Sequence, residues 1–246
     1  MEGRNIRLLI AYDGTDFCGW QRQEHDRTVQ GVIEQALEKM HGKHINLTGS
    51  GRTDTGVHAA GQAANFYTGL KNIPAGRFIQ ALNSLLPHDV RILDSYEEKN
   101  NFHARFSAVA RTYRYQFIIG KIMPYESRYN LRLFRFPHFD ILNAYCRILL
   151  GETDCSIFAS SGDMSKSKCR YIYKAQFFIE GNRLIFEICA NAFLRKMVRS
   201  IAGTFLHYGE KKTPPEKLRE IIASKERSMA GPTLPPQGLF LWKVDY

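Results

Sequence analysis

Cysteine is scarce in this sequence and follows no pattern. Cys18, Cys146, Cys155, Cys169 and Cys189 are odd in number and form no CxxC pair. That excludes a disulfide framework and fits reduced thiols in a cytoplasmic protein. None of the eight histidines sits in an HExxH, and none is spaced with cysteine as zinc requires, so no metal is expected. No run of about 18 apolar residues occurs, so no membrane span is expected. The opening Met1–Asn5 leads directly into Ile6-Arg7-Leu8-Leu9-Ile10, a stretch too short and too charged for a signal-peptide core. Acidic residues are in deficit, since 34 Lys+Arg against 24 Asp+Glu leave a formal charge of +10. The excess points to a polyanion: nucleic acid, an anionic membrane or a phosphorylated substrate. The 246 residues suffice for a hydrophobic core, as one large domain or two small ones.

Apolar spacing gives mixed α and β elements. Arg7 to Tyr12 reads as a strand ending at the turn Asp13-Gly14. Thr28 is an N-cap for a helix carrying Val29, Val32, Ile33, Ala36, Leu37 and Met40, with Gly42 as the stop. A strand follows near Gln62 to Tyr67. Pro74 then opens a helix with Phe78, Ile79, Leu82 and Leu85 on one face, and Val90 to Leu93 is a further strand. In the second half, Thr112 to Ile119 reads as a strand and Asp140 starts a helix that stops at Gly151. Tyr171 to Ile179 and Arg183 to Ala190 pair around Glu180-Gly181-Asn182. Leu194, Met197, Val198, Ile201 and Phe205 mark a helix, Pro214-Pro215 opens a short one, and Leu239 to Val244 closes as a strand. This interleaving predicts two α/β or α+β units meeting near Lys99 to Phe106.

The segment densest in chemistry is Gly49 to Ala59, where Arg52, Asp54 and His58 stand among small residues. It lacks the GK[ST] ending of a P-loop and the spacing of GxGxxG, and one carboxylate is too few for a calcium loop. It reads either as an ordinary turn or as a loop holding a working carboxylate. In the second case Arg52 beside Asp54 favours the ionised acid, which a nucleophile needs. Tyr12-Asp13-Gly14-Thr15 lacks the first Asp of a DxDGT phosphatase signature, since Ala11 stands there. Asn101 to Phe106 interleaves aromatic and basic residues, as a nucleic-acid surface or as a strand or linker with one buried face. In Arg111-Thr112-Tyr113-Arg114-Tyr115, alternation places the tyrosines on one side and the arginines on the other. Arg195 and Arg199 are one turn apart on a helix, either solvated or paired with an acid.

Taken in order, these segments closely resemble the tRNA pseudouridine synthase A family. They are Tyr12-Asp13-Gly14, Gly19-Trp20-Gln21-Arg22-Gln23, Gly51 to His58, Phe102 to Ala108, Arg111 to Tyr115, Asn191-Ala192-Phe193, Met197-Val198-Arg199 and Gly238 to Leu241. They span essentially the whole chain, and the GRTDxGVH segment is highly specific. Thr55 stands where alanine is common, and Ser160 to Lys168 matches poorly.

The resemblance implies an α+β pseudouridine synthase fold. Two α/β halves, 1–105 with the Asp loop and 106–246 with the dimer interface, would carry mainly antiparallel sheets with helices outside and a catalytic cleft between them. It implies a cofactor-free isomerase of uridines 38 to 40 in the anticodon stem-loop of tRNA, acting as a homodimer. The essential Asp falls on Asp54, the base-displacing Arg on Arg52, the active-site Tyr on Tyr113 and the helix Arg that pairs with the Asp on Arg199. Tyr113, His58, Arg22, His103 and Arg105 form the expected RNA-contact set. The target base must leave its stack, at a cost of a few kcal/mol. Asp54 then acts as nucleophile, or as base in a glycal route, while Tyr113 stacks on uracil or assists a proton transfer. A non-catalytic RNA-binding protein would share the charge but need not keep Asp54, Arg52, Tyr113 and Arg199 together. A phosphate-handling enzyme is disfavoured by Ala11.

Overall fold

The computed structural model describes residues 3–246. In chain order its elements are β1 (Arg4–Tyr12), α1 (Val29–His41), β2 (Thr48–Gly49), β3 (His58–Thr68), α2 (Phe78–Asn83), β4 (Val90–Glu98), β5 (Ala110–Ile119) and β6 (Leu131–Leu133). There follow α3 (Phe139–Ile148), β7 (Gly151–Asp154), β8 (Cys169–Glu180), β9 (Arg183–Ala190), α4 (Met197–Glu210), α5 (Pro215–Ser224) and β10 (Leu239–Asp245). Two compact units result, the first running to Val109 and taking in Phe240–Tyr246, the second being Ala110–Leu239. A division at 105/106 leaves the C-terminal strand in the second half. Instead β10 pairs in parallel with β3, Phe240 beside His58 and Leu241 beside Ala59, which returns it to the first unit.

In the first unit β1 lies between β3 and β4, antiparallel to both. Ile6, Leu8 and Ile10 are fully buried, each contributing about 1.5–3 kcal/mol of apolar transfer. Helix α1 has the expected caps. Thr28 Oγ1 accepts from Gly31 N–H at 3.3 Å, and Gly42, left-handed at φ 67°, donates to the Glu38 carbonyl. The helix expected from Pro74 is shorter than its apolar spacing. A 3-10 turn, Ala75–Arg77, runs directly into it, and it ends at Asn83, whose amide bonds both backbone groups of Ile92 at 2.9 Å. Leu85 therefore falls beyond the helix and is exposed. A second amide pair holds the chain after β4. Asn5, fully buried, donates to the Lys99 and Phe102 carbonyls and accepts from Asn65, whose own carbonyl accepts the Ala104 N–H. The segment Phe102 to Phe106 is thus neither strand nor loose linker but a turn pinned from below.

The second unit orders its strands β5-β9-β8-β7, all antiparallel, with β6 parallel to β5. Glu180 pairs with Arg183, leaving Gly181-Asn182 as the hairpin turn, with Gly181 at φ 62°. Tyr115, Phe117, Phe186 and Phe205 are fully buried. Strand alternation corrects the reading of β5. Arg111 shares parity with Tyr113 and Tyr115, and only Arg114 occupies the opposite face, where its Nε meets Glu187 at 2.7 Å. Helix α4 begins at Met197, not near Leu194, because Lys196 is left-handed at φ 60°. Arg195 lies outside the helix and is not one turn from Arg199.

Two carboxylates brace the loops of this unit. Asp163, buried on its side chain, accepts from Lys168, Arg195 N–H and Ser165 N–H. Burial pushes its carboxyl up, but those donors outweigh burial and hold it well below the usual range. The poorly matching 160–168 segment is therefore tied to the chain just ahead of α4. Asp154 is held down to about 2, first by Lys225 at 2.7 Å and then by Ser156. A carboxyl depressed on folding stabilises fully above its unfolded value, near 3.8, and loses that contribution as pH falls toward 2. Denaturant midpoints measured from pH 5 down to pH 2.5 should fall throughout, and Asp154→Asn should flatten part of that slope. An unchanged slope in the variant would remove Asp154 from the account.

Candidate active site

Three turns of the first unit converge on the loop between β2 and β3. Ser50 N–H donates to the Ala63 carbonyl, and Ser50 Oγ donates to Gln62 Oε1 at 2.6 Å. Gln62 Nε2 in turn donates to the Gly51 carbonyl. Thr53 is buried, its hydroxyl 2.8 Å from that of Tyr12 and its carbonyl accepting from Trp20 N–H. Val57 N–H closes a turn on the Asp54 carbonyl. Two glycines permit this packing. A Cβ on Gly14 would sit 2.0 Å from the Val57 carbonyl oxygen, and one on Gly19 would sit 2.7 Å from that of Thr53. Gly19 also has φ 88°, a conformation side chains rarely adopt. The motifs Asp13-Gly14 and Gly19-Trp20 thus serve as the bed on which the Asp54 loop lies. Asp13 itself accepts from Thr15 N–H and Oγ1, a local Asx turn.

On this bed Asp54 is half-buried and Arg52 exposed. The ion pair expected between them is absent: Arg52 Nε donates instead to Gln21 Oε1 at 3.1 Å, a neutral acceptor that takes its place. His58 is also reassigned. It is fully buried, its ring stacked 4.7 Å from Phe240, and Gly14 N–H donates to its Nδ1 at 3.0 Å. The Asp13 carboxylate lies 3.2 Å from the same nitrogen. Its burial places His58 beneath the loop rather than on its surface.

The remaining first-unit residues occupy two places. Arg22 is exposed, yet its guanidinium lies 3.3 Å from the buried Glu34 carboxylate and 3.4 Å from His44. His103 and Arg105 belong to the pinned turn. His103 Nδ1 accepts from the N–H groups of Arg105 and Phe106, and the Arg105 guanidinium lies over the exposed Phe106 ring at 5.6 Å.

In the second unit Tyr113 is 9% exposed and meets Phe193 edge-on at 4.9 Å. Arg199 is clasped by one backbone residue, its Nε donating to the Leu234 carbonyl at 2.7 Å while its own carbonyl accepts Leu234 N–H. Its charge falls near Tyr115, whose hydroxyl donates to the Pro235 carbonyl. Burial pushes the Tyr115 phenol well above its ordinary range, and Arg199 opposes that only in part.

Gln21, Gln30 and Glu34 are not among the residues the sequence motifs single out for a role. The available signal was the i,i+4 spacing of Gln30 and Glu34, which places both on one side of α1 behind the Gly19-Trp20-Gln21 turn.

A family model for tRNA pseudouridine synthase matches residues 8–107 and 145–246. The chain is 53% identical to tRNA pseudouridine synthase A of Treponema denticola, covering 99% of this chain and 93% of that protein. It is 49% identical to the synthase of the same name from Treponema pallidum strain Nichols, over 93% and 84% of the two chains. For Caldicellulosiruptor saccharolyticus the identity is 46%, over 99% and 100%. The matched segments contain the Asp54 loop and Arg199, while Tyr113 lies between them. With most of its length matched and its most specific motif built into a single braced loop, the chain belongs to the tRNA pseudouridine synthase A family, α+β isomerases of the pseudouridine synthase fold.

Proposed function

We propose that this protein isomerises uridines 38 to 40 in the anticodon stem-loop of tRNA, with Asp54 as the essential carboxylate. The observation that carries the reading is the braced loop, which holds one half-buried carboxylate and one exposed guanidinium two residues apart. In the reaction the N1–C1′ bond breaks and C5 joins C1′. The C5 proton leaves and N1 gains one, so the balance needs no oxidant or cofactor. Asp54 serves as nucleophile at C1′ or as base in the glycal route. Arg52 occupies the space of the displaced base and offsets part of the unstacking cost. From the second unit, Tyr113 stacks on uracil or assists proton transfer, and Arg199 supplies a second cation. Arg22, His103 and Arg105 are the proposed RNA contacts, and His58 acts only as support. The reading includes a cytoplasmic homodimer, for which the exposed Phe134 and Phe136 offer apolar surface to a second copy.

Asp54→Asn should abolish tritium release from 5-tritiated tRNA while leaving the melting temperature and tRNA affinity unchanged. Turnover in that variant would sink the assignment. If the unaltered protein binds tRNA without releasing tritium, the non-catalytic reading stands instead. The logarithm of tRNA affinity should fall linearly with the logarithm of salt, by about 0.7–0.9 per phosphate contact. A flat response would remove the basic excess as a tRNA surface. Sedimentation should give about twice 28.3 kDa. A value matching one chain would overturn the homodimer.

A further inference from the structure

Arg52 is anchored at one atom only. Its Nε donates to Gln21, while its two terminal nitrogens donate to none of the described residues. Behind Gln21 runs a chain of amides: Gln21 Nε2 donates to Gln30 Oε1 at 2.8 Å, and Gln30 Nε2 donates to Glu34 Oε1 at 3.1 Å and to the Leu47 carbonyl at 2.9 Å. The polarity of this chain is forced from its buried end. Glu34 is 4% exposed, and its carboxylate, like the Leu47 carbonyl, can only accept when ionised. Gln30 must therefore present its NH2 there and its carbonyl outward, where that oxygen also takes Arg22 N–H at 2.9 Å. Gln21 must then turn its own NH2 inward, which aims its carbonyl at Arg52. Glu34 is itself fixed by Leu47 N–H at 3.1 Å and by Arg22.

We infer that Gln21 is a positioning residue for Arg52, the outer end of an amide relay that fixes the guanidinium through Nε and leaves its fork charged and available to RNA. The inference rests on the role proposed above for Arg52. A neutral acceptor matters for two reasons. It removes in advance part of the rotamer freedom that a long side chain loses on entering a helix. The amide also donates to Gln30 and so stays in the relay, whereas a carboxylate could not donate there and would cancel the charge that meets phosphate.

The test is single-turnover pseudouridine formation on a tRNA transcript, with tRNA affinity measured separately. Gln21 is exposed, so its variants should fold with unchanged melting temperature. Gln21→Ala should slow the rate at saturating tRNA by about 3- to 10-fold, the worth of one hydrogen bond, with Kd within about twofold. Gln21→Glu, which can accept from Arg52 but cannot donate to Gln30 Oε1, should leave the rate low and raise Kd. In an Arg52→Ala background, Gln21→Ala should cause no further loss. The positioning role is overturned if Gln21→Ala reacts at the unaltered rate, if its loss multiplies that of Arg52→Ala, or if it only lowers the melting temperature. Should Arg52→Ala itself react normally, the Arg52 assignment fails, and the inference falls with it.

Discussion

Everything at the site depends on how closely three backbones approach beneath Asp54. The Val57 carbonyl lies where a Cβ of residue 14 would be, and the Thr53 carbonyl lies against residue 19. Such contacts exclude side chains, so the loop is fixed by covalent geometry and hydrogen bonds rather than by fitted apolar groups. They also exclude water from the loop's underside, where Thr53 and Tyr12 share a buried hydroxyl contact and His58 fills the floor. A buried polar floor gains from each pair made within it, and Tyr12–Thr53, Gly14 N–H to His58 Nδ1 and Ser50–Gln62 are three such pairs. The surface above, with Asp54 and Arg52, can then remain polar without loosening.

The same division of labour explains what the sequence discloses. Caps, hairpin turns and alternation are local, so α1 with Thr28 and Gly42 and the β8–β9 turn at Gly181-Asn182 follow directly from residue types. The Asp54 loop was legible as a motif because its glycines and charged residues are contiguous. What local reasoning missed is non-local. His58 looks functional beside Asp54, but its parallel neighbour Phe240, far along the chain, buries it. Arg52 and Asp54 look like an ion pair until Gln21, 31 residues earlier, takes the guanidinium. The start of α4 was misplaced because a lysine, not a glycine, adopts the left-handed conformation ahead of it. The short strands β2, β6 and β7 carry too few residues for any period to show.

Polar side chains inside each unit serve as backbone substitutes at irregular places. Asn5 and Asn65 satisfy the carbonyl and amide groups of a turn that no strand could pair. Asn83 does so at the end of α2, and Asp163 ahead of α4. In each case a side chain fixed on a regular element specifies the conformation of an irregular one. Exposed residues on those segments, such as Arg105 and Phe106, inherit order from buried amides they never touch.

The net charge of +10 is accordingly not a uniform coat. Arg22 is tied to Glu34 and Arg114 to Glu187, whose carboxyl burial would raise but Lys174 and Arg114 hold low. Each of those guanidiniums has a carboxylate behind it, Arg114 within the fold and Arg22 at its exposed surface. Arg52 differs in kind, since the side chain that anchors its Nε is a neutral amide. Counting basic residues in motifs therefore overstates the surface open to a polyanion. The informative quantity is the kind of acceptor behind each guanidinium: a carboxylate consumes the charge, whereas an amide orients it and leaves it to act on the substrate.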